Sequence, residues 1–203
     1  MKQYSYHNLF KALNPDLGWD ILDREYDRLR GLYNEPHRHY HTWVHIEEGW
    51  KLLDSVRHLF KHPAEAEIAW YYHDSVYLPG DPSNEEKSAE TACVTCDIMG
   101  LGNSSKAIIK DFIINSPDPN NSDLELFHDI DFNIFGQSLK RYLQYAQDIR
   151  QEYKDFPLID RYNFLKNLKG NIFLTIPFNK FNGKAIRNIV HEKISIEEML
   201  PYQ

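Results

Sequence analysis

The sequence holds no long apolar run. Nothing in its 203 residues approaches the roughly 20 consecutive apolar positions that a membrane-spanning helix needs, so no membrane partner is expected. The opening stretch MKQYSYHNLFKALNPDLGWD lacks an apolar core and a small-residue cleavage site. It does not read as a secretory leader, and the expected compartment is cytoplasmic. Cysteine is scarce: Cys93 and Cys96 form a single CxxC. Without a second pair or a preceding strand, that spacing is a weak sign of zinc or redox chemistry, and two small helix residues in a reducing compartment account for it. Basic residues are in deficit, 23 Lys/Arg against 30 Asp/Glu for a formal charge of −7. This argues against the basic footprint that nucleic-acid polymers require. There is no internal repeat and no low-complexity tract.

What is present is a globular composition, 42% hydrophobic and 26% charged, in a length that suits one domain. The aromatic share of 14% leaves enough large apolar side chains for a homodimer face. Charge is unevenly placed. From Lys140 onward there are eleven Lys/Arg against seven Asp/Glu, and before it twelve against twenty-three. An acidic front half suits cation binding, although solvated helix surfaces give the same pattern.

Helical spacing dominates. Leu17, Ile21, Leu22, Leu29 and Leu32 share one face of a helix expected over 17–33. The pattern repeats over 41–60, and Pro63 suits the first turn of a helix running to Tyr72. Further helices are expected at about 85–99, 104–115, 122–134, 138–154, 158–170 and 183–199. LPGDPSN, residues 78–84, and NSPDPNNSD, residues 115–123, are polar loops, with Ser83 or Asn84 as N-cap of the helix that follows. NIFLTIPF, 171–178, has the composition of a strand but no partner, so it reads as an extended linker. The fold class is all-α.

Ionisable residues collect at three places. Four of the ten histidines, His37, His39, His41 and His45, fall within nine positions. If the chain is helical from Thr42, His41 and His45 share a face. Next, IAWYYHDSVYLPGD ends an apolar helix with His73 and Asp74. Charges there are costly unless paired or coordinated, and a nitrogen beside a carboxylate suits Mn, Mg, Co, Fe or Zn. Last, FHDIDFNIFG embeds Asp129 and Asp131 among large apolar residues.

The order His … His-Asp … Asp on successive helices resembles the HD superfamily of metal-dependent phosphohydrolases. YNEPHRHYHTWVHI, WYYHDSVY followed by NEEKSA, DIDFNIFG and YAQDIRQEY are similar to one family within it, described only as predicted HD-superfamily metal-dependent phosphohydrolases. The resemblance covers about 33–188. It implies a single HD-type helical domain over 1–203, with a metal-site core at about 33–140 and C-terminal helices, about 141–200, packed on it. It also implies one divalent metal ion held by His41, His73, Asp74 and Asp131. Asp129 is the alternative to Asp131, and His45 a supporting partner or extra ligand.

On that reading the protein hydrolyses a phosphate ester or anhydride of a small metabolite, nucleotide-like in the usage of the superfamily. The metal would lower the pKa of a bound water, and Asp74 would both ligate and orient. A general acid is sought in the loop that follows, at Glu85 or Asp81, while Glu85 also suits a helix N-terminus electrostatically. Arg38 and Lys87 are the candidate phosphate cations, with Arg150 a third and Tyr77 a stacking surface for a base. His37 and His39 either support the metal site or lie at the surface. The alternative is a non-catalytic sensor that keeps the metal and a ligand pocket.

Overall fold

A computed structural model describes residues 3–115 and 117–200. Its described residues are helical and carry no strand, only an isolated bridge between Asp118 and Asn121. None of its helices is long and apolar enough to cross a membrane. The chain divides into two compact units, 1–117 and 118–203. The division falls inside the polar loop at 115–123, whereas the sequence reading drew one domain with its core running on to about 140.

The first unit contains α1 (Gln3–Leu13), α2 (Trp19–Leu32), α3 (Trp43–Val56, extended by a 3-10 turn, Arg57–Leu59), α4 (Pro63–Tyr72), α5 (Asn84–Ile98) and α6 (Asn103–Ile114). Helix α4 is its centre. Pro63 sits at the first turn, where a missing N–H costs nothing. From Ala66 to Tyr72 every residue is buried, so the helix is apolar all round and packs against α3, α5 and α6. The one charge in that run, Glu67, accepts hydrogen bonds from the Trp50 indole at 2.9 Å and from Arg57 at 2.8 Å.

Gly49 lets α3 come close to α4: a Cβ at this position would run into the indole of Trp70. The same indole donates to the carbonyl of Ile46 at 2.9 Å. Trp70 therefore keys one helix onto the other, just beneath the histidines that both helices carry.

The second unit contains α7 (Ser122–Asp131, continued by a 3-10 turn, Phe132–Gly136), α8 (Leu139–Glu152), α9 (Leu158–Asn167), the short α10 (Ile176–Asn179) and α11 (Asn182–Met199). Side chains of Asn121 and Ser138 cap α7 and α8. Helix α11 packs on α8, α9 and the 3-10 turn. Its buried Glu192 receives Tyr142 at 2.5 Å and Arg161 at 2.9 Å. Residues 171–175 form no regular element, as a linker would, but the stretch ends in the turn of α10.

Candidate metal centre

The His-Asp dipeptide sits just past the end of α4. His73 is the C-cap residue, and the chain turns there with Ser75 N–H bonded to the Tyr72 carbonyl at 2.9 Å. The carboxyl end of a helix carries partial negative charge, so a cation placed here meets a favourable field before any side chain is counted. The His73 ring stacks on Trp70 at 4.4 Å between centroids, and its Nδ1 lies 2.9 Å from the Trp70 carbonyl. A carbonyl only accepts, so Nδ1 carries the proton and Nε2 presents a lone pair. This is the arrangement that orients and strengthens metal-binding imidazoles.

Opposite stands His45, from the first turn of α3 and buried against Trp70. Its Nε2 is 3.2 Å from His73 Nε2 and 3.6 Å from Asp74 Oδ2, and His73 Nε2 is 3.1 Å from the same oxygen. Two nitrogens and one carboxylate oxygen thus converge. Points with those separations lie on a circle of about 1.9 Å radius, so a cation with bonds of about 2.1 Å fits slightly off their plane and keeps one side open. The set is half-open to solvent through Asp74, whose side chain is 22% exposed. Burial works against the charge on Asp74, but the imidazoles of His73, His41 and His45 outweigh it and hold the carboxyl well below the ordinary carboxylate range.

His41 and His45 have exchanged the places expected of them. Helix α3 begins at Trp43 with Thr42 as N-cap, so His41 precedes it on a turn. Its ring centroid is 6.1 Å from that of His45, and it stacks on Tyr77 at 4.0 Å. It acts on Asp74 through space and stands outside the converging trio. His37 bonds the Tyr77 carbonyl at 2.7 Å, and His39 is exposed.

Arg38 is corrected from phosphate ligand to clamp. Its side chain is fully buried, and all five N–H donors of its guanidinium face protein oxygens. Nε and Nη2 meet Glu35 Oε2, each at 2.9 Å. Nη1 donates to the carbonyls of His41 at 3.1 Å and Asp74 at 2.7 Å, and Nη2 to that of Ser75 at 3.1 Å. The guanidinium also lies over the rings of Tyr33 and Tyr77. Tyr77 itself is buried between His41 and Arg38, so it forms a wall and offers no open face to a base.

The loop after Asp74 is held by α5. Ser88 Oγ bonds both the N–H and the carbonyl of Val76 at 3.1 Å, and Asn84 does the same for Leu78 at 2.9 Å. Between them Pro79 and Gly80, the latter at φ +80°, make a type II turn closed by Asp81 N–H to the Leu78 carbonyl at 3.0 Å. Ser83 is the N-cap residue of α5, though its hydroxyl donates to Asp81 instead of capping.

Asp81 and Lys87 pair with each other at 2.7 Å. Hydrogen bonds from Lys87 and Ser83 hold the Asp81 carboxyl well below its usual range, the reverse of what a proton donor needs. Neither residue is then free for the role expected of it. Glu85 is exposed in the first turn of α5.

Three expected residues belong to the second unit. Asp129 is fully buried and accepts from Leu174 N–H at 2.8 Å, Thr175 N–H at 2.7 Å and the Thr175 hydroxyl at 2.6 Å. Its carboxylate anchors the 171–175 stretch, which removes it as a metal-ligand alternative. Asp131 ends α7, close enough to Tyr145 for its charge to disfavour ionisation of that phenol. Arg150 is exposed on α8 with Nη1 3.6 Å from Met199 Sδ. Comparison with family models, with curated proteins and with solved structures finds no match to this chain.

Proposed function

We propose that the protein is a metal-dependent phosphohydrolase acting on a small phosphorylated metabolite, with His45, His73 and Asp74 holding one divalent cation. The observation that carries this reading is the convergence of two Nε2 atoms and Oδ2 within 3.1–3.6 Å of one another, with the His73 tautomer fixed by the Trp70 carbonyl. Imidazole nitrogens favour Zn, Fe, Co or Mn over Mg, which prefers an all-oxygen shell. A cation so held lowers the pKa of water and neutralises charge developing on a phosphoryl oxygen. Asp74 fits the dual task of binding the cation and orienting the attacking water, since its carboxylate is partly exposed beside both imidazoles. The substrate class and the HD-superfamily assignment rest on the motif resemblance.

A non-catalytic metal and ligand sensor is the second reading. It is favoured by the engagement of Arg38, Asp81 and Lys87 with protein partners.

The test is to strip the protein of metal and restore Mn, Fe, Co, Zn or Mg singly. Hydrolysis of an aryl phosphate and of a nucleotide panel is then assayed, with Asp74→Ala in parallel. Metal-restored turnover absent from Asp74→Ala is expected. Tight metal binding without turnover on any phosphate would favour the sensor.

A further inference from the structure

Helix α11 presents apolar side chains to solvent in a regular row. Ile186, Val190 and Ile194 are 48%, 47% and 51% exposed, and they stand four residues apart. At about 100° per residue, they cover an arc of about 80° on the helix surface. The buried residues Ala185, Ile189, Glu192 and Ile196 centre about 140° away round the helix. This row is therefore separate from the face that packs on α8 and α9, and its side chains are about half exposed. A surface helix of a monomer would carry polar residues here.

The charges beside the row name its occupant. Lys184 and Arg187 flank it near the start of α11, and Glu198 flanks it on the same side near the end, all three exposed. In an antiparallel pair of identical helices, like flanks meet with their ends reversed. Lys184 and Arg187 of one copy then face Glu198 of the other, twice over. Val190 falls on the two-fold axis, and Ile186 opposes Ile194. An isologous contact of this kind requires a self-complementary patch, and this helix provides one over the 18 residues of its length.

We infer that the solvent face of α11 is the contact surface of a homodimer, two copies of the helix packing antiparallel about an axis at Val190. The inference is independent of the metal centre.

Sedimentation velocity and light scattering of the full chain should give twice the chain mass. Val190→Asp should raise the dissociation constant by more than ~10-fold with the circular dichroism spectrum unchanged, because the site faces solvent. Val190→Cys should cross-link to its own counterpart under mild oxidation, while Lys154→Cys, in the turn after α8, should not. Glu198→Lys should weaken the dimer, and Lys184→Glu added to it should restore the association. A single-chain mass at every concentration would overturn the inference and leave the row to a different protein partner. A dimer that Val190→Asp leaves intact, or a charge swap that rescues nothing, would overturn it as well.

Discussion

Arg38 Nη1 donates to the main-chain carbonyl of Asp74 at 2.7 Å, so the aspartate is held from behind by a cation that never meets its carboxylate. The same nitrogen reaches the His41 carbonyl. One buried guanidinium thus joins the turn that leads into α3 to the turn that leaves α4, and these are the two segments that bring His45 and His73 together.

Replacing Arg38 with methionine keeps most of the volume and strands three carbonyls, one buried and two part-buried, together with Glu35. Each unmet buried acceptor costs on the order of 1–3 kcal/mol, partly relieved by water. We expect a loss of about 3 kcal/mol in urea denaturation and weaker metal binding. A variant as stable as the parent would show that the clamp is dispensable.

Gly49 gives a second handle on the same geometry. Alanine there must displace the Trp70 indole or push α3 away, and overpacking of this sort costs about 1–3 kcal/mol. Because Trp70 also lies against both His45 and His73, the near-ultraviolet spectrum and metal affinity should change together with the melting temperature. An unchanged melting temperature would mean that the helices separate freely.

The helices of the first unit were largely legible because their punctuation is local. Pro63 marks the start of α4, the 78–84 loop separates α4 from α5, and periodicity does the rest. Helix α1 escaped notice although Tyr6, Leu9 and Phe10 recur at helical spacing. The 115–123 loop was visible as a loop, but composition does not report which contacts cross it, so the division at 117/118 was not. At the candidate site, His73 and Asp74 stood out as ionisable groups ending an apolar helix. The choice of His41 over His45 rested on the motif resemblance, while the shared face of the two assumed a helix from Thr42. The chain instead turns at 40–42, and no periodicity encodes the path of a turn. Arg38 and Asp129 were misread for a shared reason: a sequence shows the charge of a side chain and not the partners that already occupy it.

Alkaline pH should expose the aromatic core. Tyr72 is pushed up to about 12 by burial, and burial likewise raises Tyr6, Tyr33, Tyr71, Tyr142 and Tyr145. A folded value above the unfolded one, about 10, means the unfolded chain releases its protons first. Stability is therefore complete below about pH 10 and falls as pH rises toward 12, steeply because several phenols act together. Absorbance at the phenolate band should show these tyrosines ionising only as the protein unfolds. Reversible ionisation in the folded protein near pH 10 would contradict their burial.

His45 and His41 give the sharpest discrimination at the candidate centre. His45 Nε2 lies within 3.6 Å of both other donor atoms, whereas His41 stacks on Tyr77 and is not among the three groups whose donor atoms converge. Loss of a direct ligand lowers metal affinity more than loss of a supporting group, which is typically worth about 10–100-fold. Titration of metal-free protein with Co or Zn should therefore show His45→Ala and His73→Ala weakened by more than ~100-fold, and His41→Ala by less than ~100-fold. Folding of each variant would be checked by circular dichroism. If His41→Ala is instead the severe variant and His45→Ala the mild one, the ligand set is the one implied by the motif resemblance. The turn at 40–42 would then have to rearrange when metal binds.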